Sequence, residues 1–281
     1  MTRAPYLASA ATVLFAASLG AQSWRTLDVA RQATDTAAKQ AQITYGTGTF
    51  GLRGGASSLL YQMKLRYDAT RATPKHSFDL TSGKLQLGVE KSDVRFSGRK
   101  DNESGQLQLE LSRTTPWDLT LDLGAVEADV DLTGLKLAKL KIESGASDGR
   151  IRFDSLNPVA MRDLQISLGA ANFRADRLAN ANTRDIRVDA GVGNVELDLG
   201  GQWTQDIELK VEITAGFVTV HVPSDVAVRV SVEKVIASFE HDGLVERDGE
   251  WVSPNWDTAK HKLRVSAETI FGKLRIDKTG R

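Results

Sequence analysis

Gly193-Asn194-Val195-Glu196-Leu197-Asp198-Leu199 opens on a small residue and then alternates, with apolar side chains at 195, 197 and 199 and polar ones at 194, 196 and 198. A period of two marks a strand with one face buried and the other in water. The pattern recurs along the chain. With the small residue as anchor, units start at Gly48, Gly83, Gly105, Ala128, Gly149, Ala171, Gly193, Gly216, Ala237 and Gly272, on a pitch of about 22 residues that lengthens before Gly83 and Gly272. Two positions after each anchor stands an apolar residue, from Phe50 to Leu274; four positions after it the same holds in every unit but the one carrying His241. Seven positions before the anchor, from the fourth unit on, the column reads Leu121, Ile142, Leu164, Ile186, Leu209, Val230, Val265.

Columns that come out apolar without having been chosen point to stacked repeats. One unit cannot bury its apolar face, but the next unit laid on it continues the sheet and makes a shared core. The fold class expected is all-β: a single-stranded β-solenoid of about ten coils of ~22 residues in two sheets. The small anchor suits a tight bend between the two strands of a coil, where a branched Cβ clashes or φ turns positive. A solenoid leaves a sheet edge at each end, which invites oligomerisation by edge stacking unless capped. The polar, helical-looking stretch Asp28–Gln42 is expected to form a short N-terminal helical cap, and the tail Asp277-Lys278-Thr279-Gly280-Arg281 a second one.

Residues 1–21 carry a basic start, an apolar run from Tyr6 to Gly20 and small residues before a polar stretch, the three parts of a secretory signal peptide. The run is shorter than the ~20 residues that span a bilayer, so no stable membrane span is expected after cleavage. The expected organisation is therefore signal peptide 1–21, cap segment 22–42 and solenoid 43–281, in a periplasmic or extracellular protein. Lys plus Arg and Asp plus Glu both number 36, and a neutral chain has no bulk attraction for nucleic acid. The absence of cysteine from all 281 residues excludes disulfides, thiolate metal sites and thiol nucleophiles.

Gly216-Phe217-Val218-Thr219-Val220-His221-Val222-Pro223-Ser224-Asp225, together with Ile270-Phe271-Gly272-Lys273-Leu274-Arg275-Ile276 and the opening Tyr45-Gly46-Thr47-Gly48-Thr49-Phe50, resembles the LiaF-like and DUF4097-type toastrack domains of bacteria. The resemblance spans about residues 41–277. It implies a β-solenoid of surface, envelope-stress and cell-wall-antibiotic-response proteins, without a common enzyme chemistry. Ala237 departs from the Gly of the Phe-Gly turn, and the membrane helices that precede the domain in LiaF-type regulators are missing from this sequence.

Candidate chemistry is sparse. His221, His241 and His261 are spaced by twenty, close to one coil, but their offsets from the anchors place the first two on opposite faces. Glu127, Asp129 and Asp131 form an outward carboxylate row; with Asp148, Arg150 and Arg152 in the next unit, cross-strand ion pairing is the expected use, and polysaccharide cleavage the alternative. The insertion Asp242–Lys260 concentrates Trp251, Trp256, Glu246 and Arg247, residue types that anchor protein partners or stack on sugars, or else fold back as a hairpin over the sheet. The functional expectation is a non-enzymatic exported module, without cofactor or metal, that binds a cell-envelope protein or polysaccharide.

Overall fold

The computed structural model describes residues 24–55, 58–90 and 105–279; the expected signal peptide 1–21 lies outside them. Among the described residues, fifteen strands form one continuous hydrogen-bonded sheet. The strands are β1 (Trp24–Gln32), β2 (Lys39–Gly54), β3 (Leu59–Asp68), β4 (Thr73–Asp79), β5 (Lys84–Glu90), β6 (Gln106–Leu111), β7 (Pro116–Asp131), β8 (Lys136–Arg152), β9 (Leu164–Asp176), β10 (Asp185–Asp198), β11 (Ile207–Pro223), β12 (Ala227–His241), β13 (Val245–Arg247), β14 (Glu250–Val252) and β15 (Lys262–Thr279). Eight of them, from 13 to 18 residues long, lie parallel in the spatial order β2-β7-β8-β9-β10-β11-β15-β12.

The β-solenoid expectation therefore holds, with one sheet in place of two. Each long strand carries both halves of its coil and is folded near its middle, giving the sheet a lower and an upper arm. The bend is lined by two columns of small residues. Gly191, for example, lies so close to the strand beside it that a Cβ would come within 2.5 Å of the Gly169 carbonyl oxygen, and Gly169 meets Gly145 in the same way at 2.4 Å. Two residues on, Gly193, Gly216 and Gly272 stack in register.

Between the arms, in-register columns of Leu119, Leu140, Leu164, Ile186 and Leu209, each 2% exposed or less, fill the core. The return loops close the third side with Leu132, Phe153, Leu178 and Leu199, all buried. Buried loop backbone needs hydrogen-bond partners. Asn157 and Asn180 supply them: Asn157 Nδ2 donates to the Leu137 carbonyl at 2.8 Å and the Ala181 carbonyl at 3.1 Å, and Asn180 Nδ2 to the Phe153 carbonyl at 2.8 Å.

Several expectations are corrected. No helical cap forms over Asp28–Gln42: Trp24–Gln32 is β1, an edge strand antiparallel to β3, and β2 starts at Lys39. Leu27 and Val29 alternate with polar residues and pack on the core cluster, so burial overrode local helix propensity. The described part of the tail is no cap either. Asp277–Thr279 ends β15, which is inserted between β11 and β12, so the last two coils stack in the reverse of their chain order.

Gly83 sits in the β4–β5 turn, not in a bend. β5 pairs with the lower half of β2 and β6 with its upper half, so the anchors Gly83 and Gly105 belong to one split coil. Ala128 and Gly149 are two residues out of register with the bend: Gly149 faces Phe173, while Ser147 faces Ala171. Their smallness serves packing, since a Cβ on Gly149 would meet the Phe173 ring at 3.2 Å.

Candidate functional site

The outward side of the upper arm is a shallow groove of about 1240 Å³ running across the coils. Alternation along each strand and in-register pairing between strands set its side chains in columns parallel to the solenoid axis. Nearest the bend come Thr49, Glu127, Asp148, Asn172, Asn194 and Phe217. The next column holds Asp129, Arg150, Arg174, Glu196, Thr219 and Arg275. The outermost includes Asp131, Arg152, Asp176, His221 and Asp277.

Charges in the last two columns are paired. Arg152 bridges Asp129 at 2.6 Å and Asp131 at 3.1 Å, which is the cross-strand pairing expected of that carboxylate row. Asp176 accepts from Arg150 at 2.5 Å and Arg174 at 2.6 Å, and Arg174 also reaches Glu196 at 2.6 Å. Burial opposes ionisation of Asp176, but the hydrogen bonds from Arg174 and then Arg150 outweigh it and hold the carboxyl below its ordinary 3.8. His221 stands between Glu196 (Nε2, 3.0 Å) and Asp277 (Nδ1, 3.3 Å). His241 instead packs on Trp251 and His261 on Trp203, so the spacing of twenty builds no histidine ladder.

The outward face of the lower arm is ordered differently. Asp122, Glu143, Asp189, Glu212 and Glu268 form an acidic column interrupted by Ser167, beside a partly basic one with Lys141, Arg187 and Lys210. Lys141 binds Glu143 at 2.8 Å and Lys210 binds Glu212. Asp189 is left less compensated: burial, then the Glu212 charge, push its carboxyl up.

This bent, in-register ladder has a counterpart among known families. The model of the N-terminal domain of toast_rack, DUF2154, matches residues 21–158 and 155–221. The chain belongs to the toast-rack family. The toastrack domain expected from sequence is thus met, by the DUF2154 model.

Solved structures similar to this toast-rack chain include a Clostridium sporogenes protein provisionally named for cell adhesion (16% identity, 91% of this chain and 100% of that one, TM-score 0.47). Two others are a Parabacteroides merdae protein provisionally named an adhesin (10%, 92% and 98%, TM-score 0.43) and a Parabacteroides distasonis protein provisionally named for lipid binding (11%, 91% and 98%, TM-score 0.45). No curated protein matches. Among the described residues, no helix is long and apolar enough to cross a membrane.

The residues expected from sequence to bind a partner lie elsewhere in the toast-rack fold. Glu246, Arg247, Trp251 and Trp256 all sit in or just after the β13–β14 hairpin, which folds back and pairs β14 with Arg229 and Val230 at the edge of β12. Glu246 and Arg247 are exposed. Trp256 is 7% exposed, with the guanidinium of Arg229 4.5 Å and that of Arg264 5.4 Å from its ring centre. Trp251 is half-buried, 4.3 Å from the His241 ring and 5.8 Å from Phe239. Both tryptophans thus fasten the hairpin to the sheet.

Sequence reading missed the groove residues Asn172, Asn194 and Phe217. Their signal was present: each directly follows a bend residue, and Phe217 is an aromatic at an outward position of an alternating strand.

Proposed function

We infer that this toast-rack chain is a non-enzymatic, exported binding module of the bacterial cell envelope, and that the upper-arm groove is its contact surface. The observation that carries the reading is the groove itself: rigid, outward, and lined by columns whose order follows from strand register. A general acid needs its pKa raised toward the working pH. The groove carboxyls are held low, Asp131 by hydrogen bonds from Thr133 and then by Arg152, and Asp176 by Arg174 and Arg150, which supports recognition over catalysis.

The partner is a cell-envelope protein or polysaccharide. The β13–β14 hairpin offers a second contact surface through exposed Glu246 and Arg247, with Trp251 and Trp256 holding it in place. A link to envelope stress or the cell-wall response rests on the family resemblance alone.

The test is retention of the exported chain on isolated cell envelopes, comparing wild type with Asn194→Arg/Thr219→Arg, which crowds the groove from outward positions. Loss of retention with an unchanged circular dichroism spectrum is expected. Equal retention of the two proteins overturns the assignment of the groove.

A further inference from the structure

The column nearest the bend differs chemically from its neighbours. Six strands contribute Thr49, Glu127, Asp148, Asn172, Asn194 and Phe217 in sequence, and at ~4.8 Å per strand the row is about 24 Å long. Glu127 and Asp148 face each other across strands with no cation on either among the described residues. An ionised carboxylate only accepts hydrogen bonds, so both ask for donors. The arginines of the adjoining columns are already committed, Arg150 to Asp176, Arg152 to Asp129 and Asp131, Arg174 to Asp176 and Glu196, and Arg275 to Asp277. A ligand bearing negative charge would find acceptors and no spare cation.

The remainder of the row completes the pattern. Asn194 Nδ2 donates to Asn172 Oδ1 at 3.1 Å, which leaves the Asn172 amide protons and the Asn194 oxygen for a ligand. Phe217 follows with its ring 55% exposed, and beyond it the column passes to Lys273, whose ammonium is committed to Glu240 at 2.6 Å. On the bend beside it, Val192 (56%) and Phe271 (49%) are exposed as well. An apolar platform continuous with a line of amides and unpaired acceptors suits a ligand with flat apolar ring faces and many hydroxyl or amide donors.

We propose that this row is a binding subsite for a neutral glycan, a polymer of uncharged pyranose units laid along the solenoid axis, with a sugar ring stacked on Phe217 and its hydroxyls bonded to Asn194, Asn172, Asp148 and Glu127. The proposal rests on the binding-module reading and names the ligand class of the same groove.

Isothermal titration of the exported chain with chitohexaose and cellohexaose as neutral probes, and hexagalacturonate as the acidic one, decides it. At least one neutral hexasaccharide binds, and hexagalacturonate binds roughly tenfold more weakly or not at all. Phe217→Ala weakens the neutral ligand roughly tenfold. Glu127→Gln/Asp148→Asn weakens it severalfold while improving hexagalacturonate, and Ser167→Ala on the outward face of the lower arm changes nothing. All substituted side chains point outward, so unchanged melting temperatures verify folding.

The proposal is overturned if neither neutral probe binds at millimolar concentration, if Phe217→Ala binds like wild type, or if the acidic probe binds as tightly as the neutral ones. Envelope retention that survives Phe217→Ala but not Asn194→Arg/Thr219→Arg would sink the glycan row and leave the binding-module reading standing. Retention that survives both would sink the reading of the groove itself.

Discussion

Gly216 is the position at which the bend of the sheet can be tested most directly. Its φ is +140°, between Gly193 at +139° in β10 and Gly272 at +128° in β15. An L side chain held there costs about 1–3 kcal/mol in backbone strain. Space adds to this: a Cβ at 216 would lie 1.9 Å from the Gly193 carbonyl oxygen and 3.0 Å from its nitrogen. A Cβ has no rotamer with which to escape, so β10 and β11 must separate locally by more than about 1 Å. That sacrifices one or two ladder hydrogen bonds at about 1 kcal/mol each. Gly216→Ala is therefore expected to lose about 2–5 kcal/mol, a large part of the 5–15 kcal/mol typical of a folded domain. Gly243→Ala is the control, because φ there is also positive (+68°) but nothing stands within 4 Å of the added Cβ, and it should cost about 1 kcal/mol. The assay is urea unfolding followed by far-ultraviolet circular dichroism, with tryptophan fluorescence as a second probe because coils of a solenoid can unfold separately. If Gly216→Ala costs no more than the Gly243→Ala control, the reasoning that the bend requires glycine at this site is wrong.

Asp176 and Asp189 should respond to pH with opposite signs. The folded pKa of Asp176 lies below 3.8, so its contribution is fully present above that value and disappears as pH falls through the folded pKa; Asp176→Asn should cost about 1 kcal/mol at pH 7 and little near pH 2 in thermal melts. The folded pKa of Asp189 is raised, so its charge opposes folding above that pKa; Asp189→Asn should stabilise at pH 7 by a few tenths of about 1 kcal/mol, with the gain vanishing in acid. Trp256→Ala empties a site closed by Ala227 and Val252 and should cost about 3 kcal/mol, releasing the hairpin so that the β12 amides on its side, Val228 and Val230, exchange faster; unchanged exchange there would refute the fastening role. Gly149→Val should lose about 1–3 kcal/mol by pressing on the Phe173 ring, and Phe173→Leu in the same chain should recover part of the loss, which a bend residue would not allow.

Alternation carried most of the fold in the sequence. A buried face and a wet face impose a period of two on every strand, and a repeated coil imposes a second, longer period, so the solenoid, its strands from β7 onward and most core positions were legible in the order of residues alone. The same columns told which residues face outward, and hence that the carboxylate row would form cross-strand ion pairs with the next unit; that Arg152 takes both Asp129 and Asp131 while Arg150 turns to Asp176 was settled by the structure. Only the tertiary structure decided which coil lies beside which and what each small residue is for. β12 and β15 carry the same alternation and fit either neighbour, so nothing local could place β15 between β11 and β12. A small residue makes room equally well for a bend, as at Gly216, or for a neighbour's ring, as at Gly149 beneath Phe173, and the two differ only in what stands on the adjacent strand. For the same reason, outward positions acquired meaning only when stacked. Asn172, Asn194 and Phe217 are separate in the chain, and strand register makes them one surface.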